Sequence, residues 1–224
     1  MNLTYTSTRG HGETVTASQA ILKGLADDGG LFVPTSLPKL EVSVEKLAGM
    51  SYQEVAYEVM KLFLTDFTEE ELKRCIANAY DSKFDTEVIA PLAEAGGAYY
   101  LELFHGATIA FKDMALQILP YLLTTSAKKT IDGKKISILV ATSGDTGKAA
   151  LEGFKDVDGT SIMVFYPEDG VSNMQKRQMT TQEGSNVNVC AVVGNFDDCQ
   201  SGVKQIFTDK SVIAQLEKAN PVFS

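Results

Sequence analysis

The chain has 224 residues, 44% of them hydrophobic, with a net charge of −9 and a sequence pI near 4.8. That length and apolar content suit one large domain or two modest ones, and no run of Lys or Arg forms the basic stripe that a nucleic-acid or anionic-membrane surface requires. No stretch approaches the roughly 18 apolar residues of a membrane span, and the start MNLTYTSTRGHGE lacks a basic region leading into an apolar one, so a cytoplasmic protein is expected.

Residues 1–95 read as a mostly helical domain. DDGGLFVPTSLP, from 27 to 38, mixes Gly, Pro and large apolar residues and suits an ordered loop pinned by Leu31, Phe32 and Val33. Two capping boxes then open helices: Ser51 with Glu54 before VAYEVMKLFL, and Thr68 with Glu71 before LKRCIANAY, each pairing a hydroxyl with a carboxylate three residues on. From 96 to 224 the texture changes to that of an α/β domain. YYLELF (99–104), KISILVA (135–141), SIMVFY (161–166) and VNVCAVV (187–193) are candidate strands, and 113–127, 146–155, 172–182 and 198–209 read as helices between or after them. Continuous apolar strands alternating with helices predict a three-layer domain with a parallel sheet covered on both faces, whose ligands bind at the carboxyl ends of the strands.

Two stretches carry candidate chemistry. In ELFHGATIAFKDMALQILPYLL, from 102 to 123, Lys112 and Asp113 stand among apolar and small residues. If Asp113 caps a helix through MALQILPYLL, the positive helix end and the apolar surroundings would favour the free, nucleophilic amine of Lys112. Pro120 predicts a bend in that helix. The second stretch, Thr142-Ser-Gly-Asp-Thr-Gly-Lys148, follows a strand and offers backbone N–H groups to an anion at a helix start. It is not a nucleotide P-loop, because only two residues separate its glycines and Ala149 follows the lysine; no G-x-G-x-x-G occurs either. Spacing leaves two readings of it open: an anion site, or a turn in which Asp145 or Thr146 merely caps the helix. Cys75, Cys190 and Cys199 have no metal-type spacing, and His11 and His105 are far apart, so no zinc site is expected.

Phe111-Lys112-Asp113, preceded by Glu102-Leu-Phe-His-Gly106, resembles the cofactor-lysine segment of threonine synthases, fold-type II pyridoxal phosphate enzymes. The Ser143-Gly-Asp-Thr-Gly147 turn, Tyr5-Thr-Ser-Thr-Arg-Gly10, Asp28-Gly-Gly-Leu-Phe-Val-Pro34 and Gly194-Asn-Phe-Asp-Asp-Cys-Gln200 are similar to the family's other motifs and come in the same order. The resemblance implies pyridoxal 5′-phosphate as cofactor, O-phosphohomoserine as substrate and threonine as product. Lys112 would be the Schiff-base residue and proton shuttle, with Phe111, His105 and Asp145 beside the cofactor. Ser143, Gly144, Thr146 and Gly147 would hold the substrate carboxylate, and Arg9 would face its phosphate, with Lys148, Lys176 and Arg177 as further cations. His105 reads equally well as a structural residue. Lys176 and Arg177 follow the capping box Ser172-Asn-Met-Gln175 and read better as solvated helix charges.

The sequence departs from the family at Ala107, where a proline is usual. Related fold-type II enzymes carry Asn where Asp145 stands, and an ionised carboxylate cannot donate a hydrogen bond as an amide can. The family also continues for a further half beyond Pro221-Val-Phe-Ser224, a half that holds its glycine loop for the cofactor phosphate. Gly194-Asn195-Phe196 does not replace that loop, because Asp197 and Asp198 would repel a phosphate; both aspartates read as helix caps. The expectation is therefore a truncated N-terminal portion that binds the cofactor weakly, turns over little, and associates with itself or with the missing C-terminal half. A hydroxyamino-acid dehydratase of the same fold type, or a non-catalytic pyridoxal-binding module, is the alternative.

Overall fold

The computed structural model describes residues 2–10, 12–131 and 135–219; the PVFS stretch and His11 lie outside them. The chain divides into two compact units, residues 1–105 with 121–132, and residues 106–120 with 133–224.

In the first unit β1 (Tyr5–Ser7) is followed by α1 (Ala17–Lys23), β2 (Phe32–Pro34), α2 (Val44–Leu47), α3 (Tyr52–Phe63) and α4 (Glu69–Ala79). Strands β1 and β2 pair antiparallel, Thr6 opposite Val33, which joins two of the sequence motifs in one small sheet. Both predicted capping boxes are present, at Ser51/Glu54 and Thr68/Glu71. Helix α4 buries Leu72, Cys75, Ile76 and Ala79, the apolar stripe that its spacing of three and four residues dictates.

The first predicted strand of the parallel sheet is placed differently. Only its start is extended, as β4 (Ala98–Leu101), and it pairs antiparallel with β3 (Leu92–Ala95), outside the parallel sheet. Gly96 and Gly97, with φ of +60° and +77°, form the two-residue turn that favours a tight hairpin. The sequence signal favoured YYLELF because aromatic residues suit strands; LAEA, its actual partner, is rich in weak strand formers.

The predicted helix from 113 is two helices, α5 (Asp113–Leu116) and α6 (Leu119–Thr130). Pro120 lacks the N–H that would bond to Leu116, so the first helix ends there and a new one starts. Residues of α6 from Tyr121 onward belong to the first unit.

The second unit continues with β5 (Ile136–Ala141), α7 (Asp145–Phe154), β6 (Thr160–Pro167), α8 (Asn173–Thr180), β7 (Val187–Val192), α9 (Phe196–Thr208) and α10 (Lys210–Ala219), the last not foreseen. The three strands form a parallel sheet in the order β5-β6-β7, with Val140 beside Val164 and Val164 beside Val189. In β6 Ile162, Val164 and Tyr166 are buried while Ser161, Met163 and Phe165 are half-buried, so one face is packed more completely than the other. Leu151, Phe154 and Met179, from α7 and α8, complete this core. Gly153 allows α5 to lie against α7, for a Cβ there would stand 2.2 Å from the Leu116 carbonyl oxygen. Among the described residues no helix is long and apolar enough to cross a membrane, and no cluster of His, Cys, Asp or Glu has the makings of a metal site.

Candidate active site

Lys112 stands at the end of a loop held by its own neighbours. Ile109 N–H donates to the Gly106 carbonyl and Asp113 N–H to that of Ala110, each at 3.0 Å. Asp113 is fully buried, and its carboxylate accepts from Thr108 twice, from the backbone N–H at 2.8 Å and from the hydroxyl at 2.7 Å. Gly106 is required by the same packing, since a Cβ would come within 2.5 Å of the Asp113 Cβ. Asp113 is therefore not a helix cap as the sequence suggested. It is the first residue of α5, with Lys112 in the cap position making no side-chain cap bond, and its carboxylate turns back to fasten the loop.

The amine of Lys112 lies 4.8 Å from the centre of the Phe111 ring, and Phe111 is 58% exposed. Among the described residues this ammonium has neither an ion pair nor a hydrogen bond. Ile109, three residues before it, has φ of +60°, a left-handed conformation that costs a β-branched residue about 1–2 kcal/mol. The hydrogen-bonded loop thus holds backbone strain next to the lysine.

The Thr142–Lys148 turn is organised by a residue that sequence reasoning passed over. The Thr142 hydroxyl, almost fully buried, accepts the N–H groups of Gly144 (3.0 Å) and Gly147 (2.9 Å). It takes the capping role that had been offered to Asp145 or Thr146; Gly144 occupies the N-cap of α7 without a side-chain cap. The N–H groups of Ser143, Asp145 and Thr146 have no partner among the described residues, and these residues are exposed or half-buried. Gly144 has φ of +143°, open essentially to glycine alone. Gly147 faces the Thr142 methyl, 2.4 Å from where a Cβ would stand. Asp145 accepts a hydrogen bond from the Gln175 side-chain amide at 2.7 Å.

The remaining candidates separate. Arg9 and His105 belong to the first unit, whereas Lys112, Phe111 and the 143–147 turn belong to the second. Arg9 donates to the Asp28 carbonyl at 2.9 Å and lies over Gly29, with no carboxylate partner among the described residues. Around it Ser7 donates to Asp28 at 2.6 Å and Gly30 N–H donates to the same oxygen at 2.9 Å, so the TSTRG and DGGLF motifs form one interlocked structure. His105 is held by carboxylates on both ring nitrogens, Asp85 at 2.5 Å and Glu102 at 2.9 Å, and these bonds, that of Glu102 foremost, push its pKa up. Its ring also stacks on Phe104.

Among the other cations, Lys148 is engaged by Gln182, with Glu152 3.7 Å away. Among the described residues Lys176 reaches only the Glu168 carbonyl, at 3.5 Å, as suits a helix-surface charge. At the start of α9 the cap is Asn195, with Asp198 as its reciprocal partner, so of the two aspartates read as caps Asp198 belongs to the box and Asp197 lies in the first turn. Thr108 and Thr142 were missed because a lone threonine carries no spacing signal. For Thr142 the available hint was a hydroxyl placed just before a glycine turn.

A parallel α/β unit with a lysine at the head of a helix and a glycine turn after a strand agrees with the resemblance to the fold-type II class. Within that class the likeness is to threonine synthases. A family model described as "Threonine synthase N terminus" matches residues 4–80. The threonine synthase of Pseudomonas aeruginosa is 41% identical over 212 residues, 93% of this chain and 45% of that protein, and that of Saccharomyces cerevisiae is 37% identical over 222 residues, 92% and 43%. The crystal structure of pyridoxal phosphate-bound threonine synthase from Brucella melitensis superposes with a TM-score of 0.86 at 38% identity, over 100% of this chain and 47% of that one. The yeast enzyme gives 0.84 at 36% identity, over 93% and 44%. The chain thus spans somewhat less than half the length of these relatives, and its resemblance is to their N-terminal half.

Proposed function

We propose that this chain supplies the cofactor lysine and the substrate-carboxylate turn of a threonine synthase, which converts O-phospho-L-homoserine and water to L-threonine and phosphate. The observation that carries the reading is Lys112: a primary amine without an anionic partner among the described residues, set on a loop that a buried carboxylate fastens. This donor suits the aldehyde of pyridoxal 5′-phosphate, which when bound supplies an electron sink for a carbanion on the substrate. Lys112 holds the aldehyde end and, as the free amine, moves a proton at the substrate's α-carbon. Phe111 and Asp145 flank the cofactor, while His105, with both ring nitrogens engaged, braces the chain that leads into the loop.

The substrate carboxylate is received by the N–H groups of Ser143, Asp145 and Thr146 and by the Ser143 and Thr146 hydroxyls, at the positive end of α7. Gly144 and Gly147 give the turn its shape rather than its donors, because Thr142 has taken their N–H groups. Arg9, a guanidinium without a carboxylate partner among the described residues, has the chemistry to take a phosphate. Exposed Leu92, Tyr99, Tyr100 and Leu101 on the hairpin support association, either with a polypeptide that completes the fold or with a second copy. A cytoplasmic location belongs to the same reading.

The test is to add pyridoxal phosphate, reduce with borohydride and map the modified lysine. Label concentrated on Lys112 is the expected result; label scattered over surface lysines overturns the assignment. Phosphate release from O-phosphohomoserine, set against keto-acid formation from serine or threonine, then separates this reaction from that of a dehydratase.

A further inference from the structure

Gln175 lies in a helix start whose sequence suggests only a cap, and its side chain does more than cap. Its carbonyl oxygen accepts the Ser172 N–H at 3.2 Å, closing the capping box of α8. Its amide nitrogen donates to Asp145 at 2.7 Å, thirty residues back in the chain. Its amide carbon stands 2.4 Å from where a Cβ on Gly144 would be, so the amide lies directly against Gly144. Two independent constraints therefore require glycine at 144: the φ of +143° and the amide lying on it.

The partnership also bears on charge. Asp145 is exposed and itself carries one of the N–H groups proposed to receive an anion, and an unattached carboxylate there is free to swing toward a bound carboxylate and repel it. We propose that Gln175 is a positioning residue of the substrate-carboxylate turn: its amide fixes Gly144 and ties down the Asp145 carboxylate, leaving the N–H groups of Ser143, Asp145 and Thr146 open to an anion. This inference rests on the reading that the turn receives the substrate carboxylate.

The substitution Gln175→Glu separates positioning from capping. Glutamate serves a Ser-x-x-Glu capping box as well as glutamine does, so the start of α8 is kept, while a second carboxylate now faces Asp145. The double change Asp145→Asn with Gln175→Glu restores the link in reverse, an Asn amide donating to a Glu carboxylate. The probe is O-phospho-L-homoserine titrated into the isotopically labelled full chain, with the backbone amide signals of Ser143, Asp145 and Thr146 followed by NMR. Expected are saturable shifts in the unaltered chain, a Kd raised about tenfold by Gln175→Glu, and recovery to within about threefold in the double variant. Equal binding by Gln175→Glu, or no recovery in the double variant, overturns the proposal while leaving the turn as the carboxylate site. Absence of shifts at these amides in the unaltered chain overturns the reading of the turn and the proposal with it.

Discussion

Thr108 grips both oxygens of the Asp113 carboxylate, one through its backbone N–H and the other through its hydroxyl, at a site where Asp113 has no exposure to solvent. A buried carboxylate with few donors is sensitive to losing any of them. Thr108→Val keeps the shape and removes the hydroxyl, leaving one oxygen without its donor, and should cost about 1–3 kcal/mol. Thr108→Ser should cost less. Urea denaturation of the two variants checks the ranking, and equal midpoints would contradict it.

Thr142 plays a comparable part for the glycine turn. Thr142→Val removes the acceptor of two N–H groups and should destabilise the chain by about 1–3 kcal/mol. Gly147→Ala should be damaging for a steric reason, since its Cβ would meet the Thr142 methyl at 2.4 Å. If the turn receives the substrate carboxylate, both changes should weaken ligand-induced shifts of the Ser143 amide more than they weaken cofactor labelling of Lys112.

The strain at Ile109 predicts a gain. With φ of +60° and 73% exposure, this side chain pays a left-handed penalty without a burial reward. Ile109→Gly removes that penalty and should stabilise the chain by about 1 kcal/mol. A lower thermal midpoint in this variant would show that the isoleucine has a contact that outweighs its strain.

How much of this was legible in the sequence depended on whether the signal was local. The capping boxes at Ser51, Thr68 and Ser172 were readable because donor and acceptor are three residues apart. The parallel strands were readable from their continuous apolar runs. Asp113 was misread as a cap because its partner Thr108 lies upstream of it, whereas a cap's partners lie downstream. The bond from Gln175 to Asp145 had no sequence signal at all, since the sheet brings them together across thirty residues. The hairpin was missed for yet another reason: LAEA gains its extended form from the Gly96-Gly97 turn and its partner, not from its own propensity.

His105 gives a pH dependence of definite sign. Its folded pKa is raised above the unfolded value of about 6.5 by Glu102 and then Asp85, so the folded state favours the imidazolium. Its contribution to stability is fully present below about pH 6.5 and is lost as pH rises through the folded value. Thermal midpoints of the unaltered chain and of His105→Gln should therefore differ most near pH 6 and converge in alkaline solution. A gap that widens with pH would reverse the assignment.

The fastening of Asp113 to Thr108 also has a temporal side. It closes across five residues, whereas the sheet begins by pairing Ile136 with Thr160, and short-range contacts form ahead of long-range ones during folding. The loop that carries Lys112 is therefore expected to be in place when the strands are still finding their register. Kinetically, Thr108→Val should slow refolding and leave the unfolding rate nearly unchanged, whereas Val164→Ala in β6 should chiefly speed unfolding.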